Sequence, residues 1–399
     1  MQNMEYRRLK PEEQVQMLAI SQTVFLTSTR HDIREMLKNP IEHAKDDDIV
    51  RLGAFDEKER MLSALQVHPY IINMNGKQVK MGGIGSVLTR PEARHGGNVR
   101  KLMDIAFDEM EMLGHVFSFL YPFSFEYYRK FGYEMCYQYN SVSIPFSQLK
   151  DYPVPINVTH YELGDSIAPY CEIYETFAHN RNLSILRSKS DWVKLLDRDP
   201  YKNLQFTYLF DDAYILYEAV NPSTEGTTLL INELCWRTPK GLYEAFGFLY
   251  KLGVEYSTIT WNIPNDINIY ALFPDTYDLT WQRQPVGMVA LVNIQEALLT
   301  LHPPNGSGEI TLNIIDTFRP KNSGAYFIEW ANKTLHVEKV KETAEIITMT
   351  SATLAQLITG YLSLGAALYK RDVIVHRADL FSQLDNIFPK RLSYICERF

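Results

Sequence analysis

What the sequence lacks narrows it first. Its four cysteines, Cys136, Cys171, Cys235 and Cys396, are scattered, with no C-x-x-C pair and no His-rich neighbourhood. Neither a disulfide framework nor a metal site is expected. No uncharged apolar run approaches the roughly 18 residues that a membrane helix needs. The start, Met1-Gln2-Asn3-Met4-Glu5-Tyr6-Arg7-Arg8, has no apolar run behind its basic residues. The chain therefore reads as cytoplasmic, without signal peptide or membrane span. Positive charge is scarce as well: 40 Lys and Arg against 48 Asp and Glu leave a formal charge of −8. That argues against a nucleic-acid partner and steers toward cationic small molecules. H-E-x-x-H, G-x-S-x-G and G-x-x-x-x-G-K-[ST] are all missing. Gly83-Ile84-Gly85-Ser86 sits inside a strand pattern and predicts a bulge or a close backbone approach rather than a nucleotide loop.

What is present is a soluble, globular composition, with 46% hydrophobic and 22% charged residues over 399 positions, enough for two or three domains. Pro11–Phe25 reads as a helix, with Pro11 in its first turn, and the charged 30–48 segment as irregular. Ile49–Phe55, Met61–Met74 and Lys77–Leu88 read as strands, the last two joined by the hairpin turn Asn75-Gly76. A polar loop with two glycines, 90–100, then opens a helix with Val99, Leu102, Met103, Ala106, Met110 and Leu113 on its apolar face. The strand Val116–Leu120 and the aromatic stretch Tyr121–Tyr133 follow.

A second unit, 151–285, repeats this outline: strand Thr227–Trp236, connection Arg237-Thr238-Pro239-Lys240-Gly241, helix Leu242–Leu252, strand Tyr256–Trp261. Pro239 removes a backbone N–H where a phosphate would need one, so this copy is expected not to hold a pyrophosphate. A third unit, 286–399, shows strand alternation at Glu309–Asp316 and Ala325–Trp330 and an apolar helix over Met349–Leu368. The chain ends at Phe399.

The first loop carries the sharpest chemical signal. A strand feeding a glycine loop and then a helix presents free N–H groups and the positive end of a helix dipole, which suit a pyrophosphate. Gly96 and Gly97 allow close approach, and Arg94 and Arg100 add charge. Arg94-x-x-Gly97 matches the first part of an R/Q-x-x-G-x-G/A loop, with Val99 departing at the last position. Tyr128, in a Tyr-x-x-x-Gly-Tyr setting, is placed to protonate a leaving thiolate, whose reference pKa is comparable to that of a phenol. His95 is taken as a backbone contributor, Asp104 and Asp108 as a solvated helix face, and Glu397 as one of the acids gathering a cationic substrate.

Together, Val87-Leu88-Thr89, the Arg94–Arg100 loop, Tyr128-Arg129-Lys130-Phe131-Gly132-Tyr133 and the terminal Phe399 resemble the enhanced intracellular survival (Eis) family of GNAT N-acetyltransferases, over essentially the whole chain. The resemblance implies an α+β chain of two tandem GNAT-like domains, 1–150 and a degenerate 151–285, followed by a sterol-carrier-protein-like domain, 286–399. It implies acetyl-CoA as cosubstrate. Val87, Leu88 and Thr89 would bond the pantetheine arm, and His95, Gly96, Gly97, Asn98, Val99 and Arg100 would hold the pyrophosphate. Phe123 and Ser124 would lie beside the cofactor, although the aromatic 122–126 stretch differs from smaller residues in some relatives. Tyr128 would be the general acid and the main-chain carboxylate of Phe399 the base, with a homohexamer as the assembly. The expected reaction is direct transfer to a primary amine of a cationic small molecule such as an aminoglycoside or polyamine. An oxyanion would be met by donors of a strand bulge near Val87. The rival reading is a non-catalytic CoA-binding sensor with an apolar ligand in the third unit.

Overall fold

The computed structural model describes residues 4–26, 32–45, 47–220, 226–273, 275–341 and 346–397. An antiparallel meander is built by β1 (Glu5–Arg8), β2 (Val50–Phe55), β3 (Met61–Met74) and β4 (Lys77–Thr89), with β2 buried at every position and β3 and β4 along runs of five. β1 has no counterpart in the sequence reading. Asn75 and Gly76, at φ 52° and 76°, make the turn between β3 and β4. Behind β4 the helix Asn98–Met112 crosses over to β5 (Phe117–Leu120), which runs parallel to β4. The helix buries Leu102, Met103, Ala106, Phe107 and Met110. Leu113, expected on that face, is exposed because the helix ends at Met112 and the chain turns at Gly114, φ 75°.

A short helix, Phe125–Arg129, leads to β6 (Glu134–Ile144). The second unit contributes β7 (Thr159–His160), β8 (Gln205–Leu209), β9 (Ala213–Val220), β10 (Thr228–Trp236) and β11 (Thr258–Ile263). Antiparallel β9 and β10, the crossover helix Pro239–Lys251 and parallel β11 restate β3, β4, their helix and β5. All these strands and β12 (Thr280–Leu291) form one sheet in the order β1-β2-β3-β4-β5-β12-β6-β11-β10-β9-β8-β7.

The units exchange strands within that sheet. β12 pairs with β5 through Met288–Leu291 and with β6 along its length, while the other edge of β6 takes β11. The boundary expected between 285 and 286 therefore falls within a strand whose two halves share a sheet. Side chains of β5 alternate between faces: Phe117 and Phe119 pack toward the third unit, Leu120 toward the crossover helix.

The third unit is a five-stranded sheet, β15-β14-β13-β16-β17, of β13 (Gly308–Ile315), β14 (Gly324–Ala331), β15 (Thr334–Val340), β16 (Ile347–Thr350) and β17 (Ile374–Val375). Ile347, Leu354 and Leu357 share one apolar core with Phe117, Phe119, Val289 and Leu291 of the large sheet. The helix expected over Met349–Leu368 is divided. Met349 belongs to β16, the helix Ser351–Ile358 is stopped by Gly360 at φ 73°, and Leu364–Ala367 forms a separate turn of helix. The architecture is two tandem units of like topology sharing one sheet, followed by a third unit with its own five-stranded sheet. Among the described residues no helix is long and apolar enough to cross a membrane.

Candidate active site

The site begins where β4 and β5 separate. The two pair from Met81↔Phe117 to Ile84↔Leu120, and β5 ends there while β4 runs on to Thr89. Its register against β3 shifts between Ala64↔Leu88 and Gln66↔Gly85, so Ser86 and Val87 together face Leu65. Ser86 takes φ 49°. This is the bulge expected in the Gly83–Ser86 stretch, and among the described residues no strand pairs with the β5-side edge of Val87–Thr89. A peptide-like chain can bond such an edge as another strand would.

Beyond Thr89 the chain enters the loop and a cleft of about 800 Å³. Its wall contains Val87, Thr89, Arg94, His95, Gly96, Gly97, Asn98, Val99, Arg100 and Phe123 of the expected cofactor residues, joined by Val24, Phe25, Ala93, Tyr127, Lys130 and Phe131. Gly97 is the N-cap of the Asn98–Met112 helix at φ 80°, with no side-chain cap. The first helical turn therefore forms part of the wall, where its N–H groups and the dipole favour an anion. His95 also has a positive φ, 64°, which bends the loop around this point. Arg94, Arg100 and Lys130 supply cationic side chains to the wall, and among the described residues no carboxylate lines it.

Several expected residues have other work. Leu88 is buried against Met17 and Ile20, with its carbonyl accepting from Ser63 Oγ at 2.7 Å, and it is not part of the cleft wall. The Asn98 side chain accepts from the Tyr6 hydroxyl at 2.9 Å. Ser124 is outside the cleft wall: its Oγ caps the Phe125–Arg129 helix by accepting from Tyr127 N–H at 3.3 Å. Tyr128 is buried one layer behind the wall, its ring centre 5.4 Å from Phe123 and 5.3 Å from Tyr127, whereas Tyr127 faces the cleft. Burial pushes the Tyr128 phenol well above its usual pKa and the Tyr127 phenol up as well, so both stay protonated.

Phe399 lies outside the described residues, but the segment before it is firmly held. Glu397 C=O accepts from the Tyr121 hydroxyl at 2.6 Å, just past the end of β5. Arg187 donates from Nε to Glu397 Oε1 at 2.7 Å and through both terminal nitrogens to Glu233 at 2.8 and 2.6 Å. Its guanidinium lies over the rings of Tyr174 and Trp192, and Cys396 Sγ is 2.7 Å from Glu233 Oε2. Burial alone would raise the Glu233 carboxyl, yet the Arg187 charge and hydrogen bonds hold it below the usual carboxylate range. Glu397 is thus an anchor paired to a cation, not a free acid awaiting substrate. Asp104 and Asp108, expected to be solvated, accept from Arg319 at 3.2 and 2.7 Å.

Sequence reasoning gave no role to Lys130, Phe131, Val24 or Phe25, although Lys130 and Phe131 sit inside the Tyr128–Tyr133 motif. Nor did it notice a polar chain beside the bulge. Ser86 Oγ donates to Gln66 Oε1 at 3.2 Å, and His68 Nε2 lies 3.1 Å from the same oxygen. Burial lowers the His68 imidazole to about 4. Period-two spacing on β3 places Gln66, His68 and Tyr70 on one face, the signal that would have found them. Among the described residues no group of three His, Cys, Asp or Glu side chains is placed to hold a metal.

Comparison with known proteins agrees with this frame. Residues 5–136 match the acetyltransferase (GNAT) domain family, and residues 294–396 match the sterol carrier protein domain family. Compared with curated proteins, the chain matches none. Among solved structures, a probable N-acyltransferase of Enterococcus faecalis V583 has a TM-score of 0.87 at 19% identity, covering 100% of both chains. A GCN5-related N-acetyltransferase of Anabaena variabilis has 0.85 at 19%, also over 100% of both. Eis1 of Mycobacterium abscessus has 0.80 at 16%, again over 100% of both. At these identities the likenesses establish the fold.

Proposed function

We propose that this chain, a GNAT-type acetyltransferase of Eis-like architecture, transfers the acetyl group of acetyl-CoA directly to a primary amine of a cationic small molecule, of aminoglycoside or polyamine type. The observation that carries the reading is the joining of two features in one cleft: the unpartnered edge of Val87–Thr89 and the open N-terminus of the Asn98–Met112 helix. The edge suits the two amides of a pantetheine arm. The helix end, with Arg94, Arg100 and Lys130, suits the phosphates. These cations make the cleft the cofactor's side. The acceptor's charges must be met elsewhere, beyond the splay of β4 and β5, where the C-terminal segment enters.

In this reading the amine attacks the thioester carbonyl, the developing oxyanion is met by backbone N–H groups at the Ser86–Val87 bulge, and the thiolate leaves with a proton from a phenol. Tyr128 is the proposed donor from its place in the Tyr-x-x-x-Gly-Tyr motif; burial keeps both phenols protonated and makes each a weaker acid than a free tyrosine. Tyr127 is the competing donor because its ring forms part of the cleft wall. The terminal carboxylate of Phe399 is the proposed base. Support comes from the anchoring of Glu397 on Tyr121, just past the end of β5, and on Arg187. An α-carboxylate has a reference pKa of about 3.3–3.7, so it serves by attracting the ammonium and relaying its proton. A homohexameric assembly belongs to the same proposal.

The test is thiol release from acetyl-CoA with a panel of aminoglycosides and polyamines, on the intact chain, Tyr128→Phe, Tyr127→Phe and a chain lacking Phe399. Amine-dependent release that collapses in Tyr128→Phe and without Phe399 supports both roles. Collapse in Tyr127→Phe alone moves the acid to Tyr127. Release that survives loss of Phe399 removes the base.

A further inference from the structure

The turn after β13 reaches from the third unit onto the helix that opens the cofactor loop. Its Phe318 ring meets Phe107 of that helix at 5.5 Å and Phe131 of the cleft wall at 5.4 Å, both edge-on. The Arg100 guanidinium lies 5.5 Å from the centre of the same ring, within the roughly 6 Å reach of a cation–π contact. The next residue, Arg319, is 5% exposed. It donates to the Asp104 carboxylate and carbonyl, both at 3.2 Å, to Asp108 at 2.7 Å and to Glu111 at 3.1 Å, and Lys321 pairs with Glu111 as well. The turn itself is fixed from within, because Asp316 Oδ1 accepts from Phe318 N–H at 3.1 Å and Arg319 N–H at 2.8 Å.

We infer that the Phe318–Arg319 turn of the sterol-carrier-like unit is a brace for cofactor binding: Phe318 aims Arg100 at the phosphates, and Arg319 cancels the row of carboxylates on the same helix. The inference rests on the acetyl-CoA reading of the loop. Both are positioning residues, since neither lines the cleft. Their contributions differ in range. The Phe318–Arg100 contact is local and insensitive to salt. Asp104, Asp108 and Glu111 stand about 10–20 Å along the helix from Gly97 at 1.5 Å per residue. At physiological ionic strength a screening length of about 8 Å leaves little of their repulsion toward a polyphosphate, whereas at 0.01 M it is about 30 Å and most survives.

Calorimetric titration of acetyl-CoA into the full chain separates the two. Phe318→Leu keeps the apolar plug and discards the ring face, and about two- to fivefold weaker binding is expected. Arg100→Met weakens binding too, and in the double variant Phe318→Leu adds nothing further. Losses that simply add, or unchanged affinity in Phe318→Leu, overturn the brace, because Phe318 would then act by packing or not at all. Arg100→Met binding as tightly as the parent removes the premise that the loop holds the phosphates, and the proposal with it. Arg319→Met is expected to weaken binding selectively at low salt, with recovery on adding Asp104→Asn, Asp108→Asn and Glu111→Gln. A loss equal at both salts and not recovered overturns the electrostatic half.

Discussion

Behind β4, the helix Asn98–Met112 starts at Gly97, which brings no side chain and leaves the first turn in the cleft wall; behind β10, the helix Pro239–Lys251 starts at Thr238, whose Oγ accepts from Gly241 N–H at 3.3 Å. The Thr238 hydroxyl also donates to Asp212 at 3.1 Å, and Arg237 N–H donates to Asp212 C=O at 2.8 Å. A Cβ on Gly241 would lie 2.5 Å from that same carbonyl, so the Asp212 backbone occupies the space a phosphate would need. Pro239 has no N–H to offer. Both central strands keep a bulge, between Gly85 and Leu88 in β4 and between Ile231 and Glu233 in β10. In the second copy the neighbourhood is filled by a chain of ring contacts from Tyr394 through Phe177 and Trp236 to Trp261. Glu233, just past its bulge, has become the anchor of Arg187 and thus of the C-terminal segment. One frame thus serves two ends, and what caps the crossover helix decides which.

That contrast can be broken from either side. Asn98→Pro copies the second loop's proline into the first and deletes one N–H from the anion site. Acetyl-CoA affinity is expected to fall about ten- to hundredfold, the value of a hydrogen bond to a charged group. Tyr6→Phe removes the same Tyr6–Asn98 side-chain bond and serves as control, with affinity near the parent's. Gly241→Ala should cost about 1–3 kcal/mol of stability by thermal melting, because the methyl meets backbone, while acetyl-CoA affinity stays unchanged. Thr238→Ala should cost about 1 kcal/mol through the lost cap, again with no change in affinity. A drop in affinity in either variant would show that the second copy still takes part in cofactor binding.

The smallest expected effect is a pH slope. Burial lowers the imidazoles of His68 and His115, both on the first unit, to about 4. The unfolded chain binds these protons near pH 6.5 and the folded chain does not until about 4. Their contribution is therefore full above pH 6.5 and is lost as pH falls toward 4. Glu233 adds a loss below the ordinary carboxylate range, as protonation breaks the Arg187 clamp. Thermal melts of the parent against His115→Asn between pH 7 and 4 check the sign, since the variant should show the shallower slope.

The sequence showed local matters well: the β3–β4 hairpin, the bulged glycine stretch, both crossover helices and the glycine loop before the first of them are each written within about a dozen neighbouring residues. Long-range pairing was hidden. β12 opens with the exposed residues Thr280, Trp281, Gln282 and Arg283 and contains Pro285, so its first half did not read as a strand and the third unit was expected to begin at 286. Asp104, Asp108 and Glu397 looked like free surface acids because Arg319 and Arg187 lie far away in the chain. Tyr128 stands out by its spacing in the Tyr-x-x-x-Gly-Tyr motif, and spacing cannot tell a wall residue from the layer behind it. The Met349–Leu368 helix failed at Gly360, where apolar periodicity continues through a left-handed backbone turn.

The place of β12 between β5 and β6 has a consequence for how the protein is made. Leu120 waits for Met288, and Glu134 for Val289, before the middle of the sheet can close. At about 5–20 residues per second, a ribosome takes on the order of ten seconds or more to supply that strand. For that interval the nascent first unit holds a gap flanked by two strand edges, with Phe117 and Phe119 uncovered. A second nascent chain carries the segment that fits the gap, so crowding on one messenger favours swapped pairs, and slow codons within the second unit lengthen the exposure.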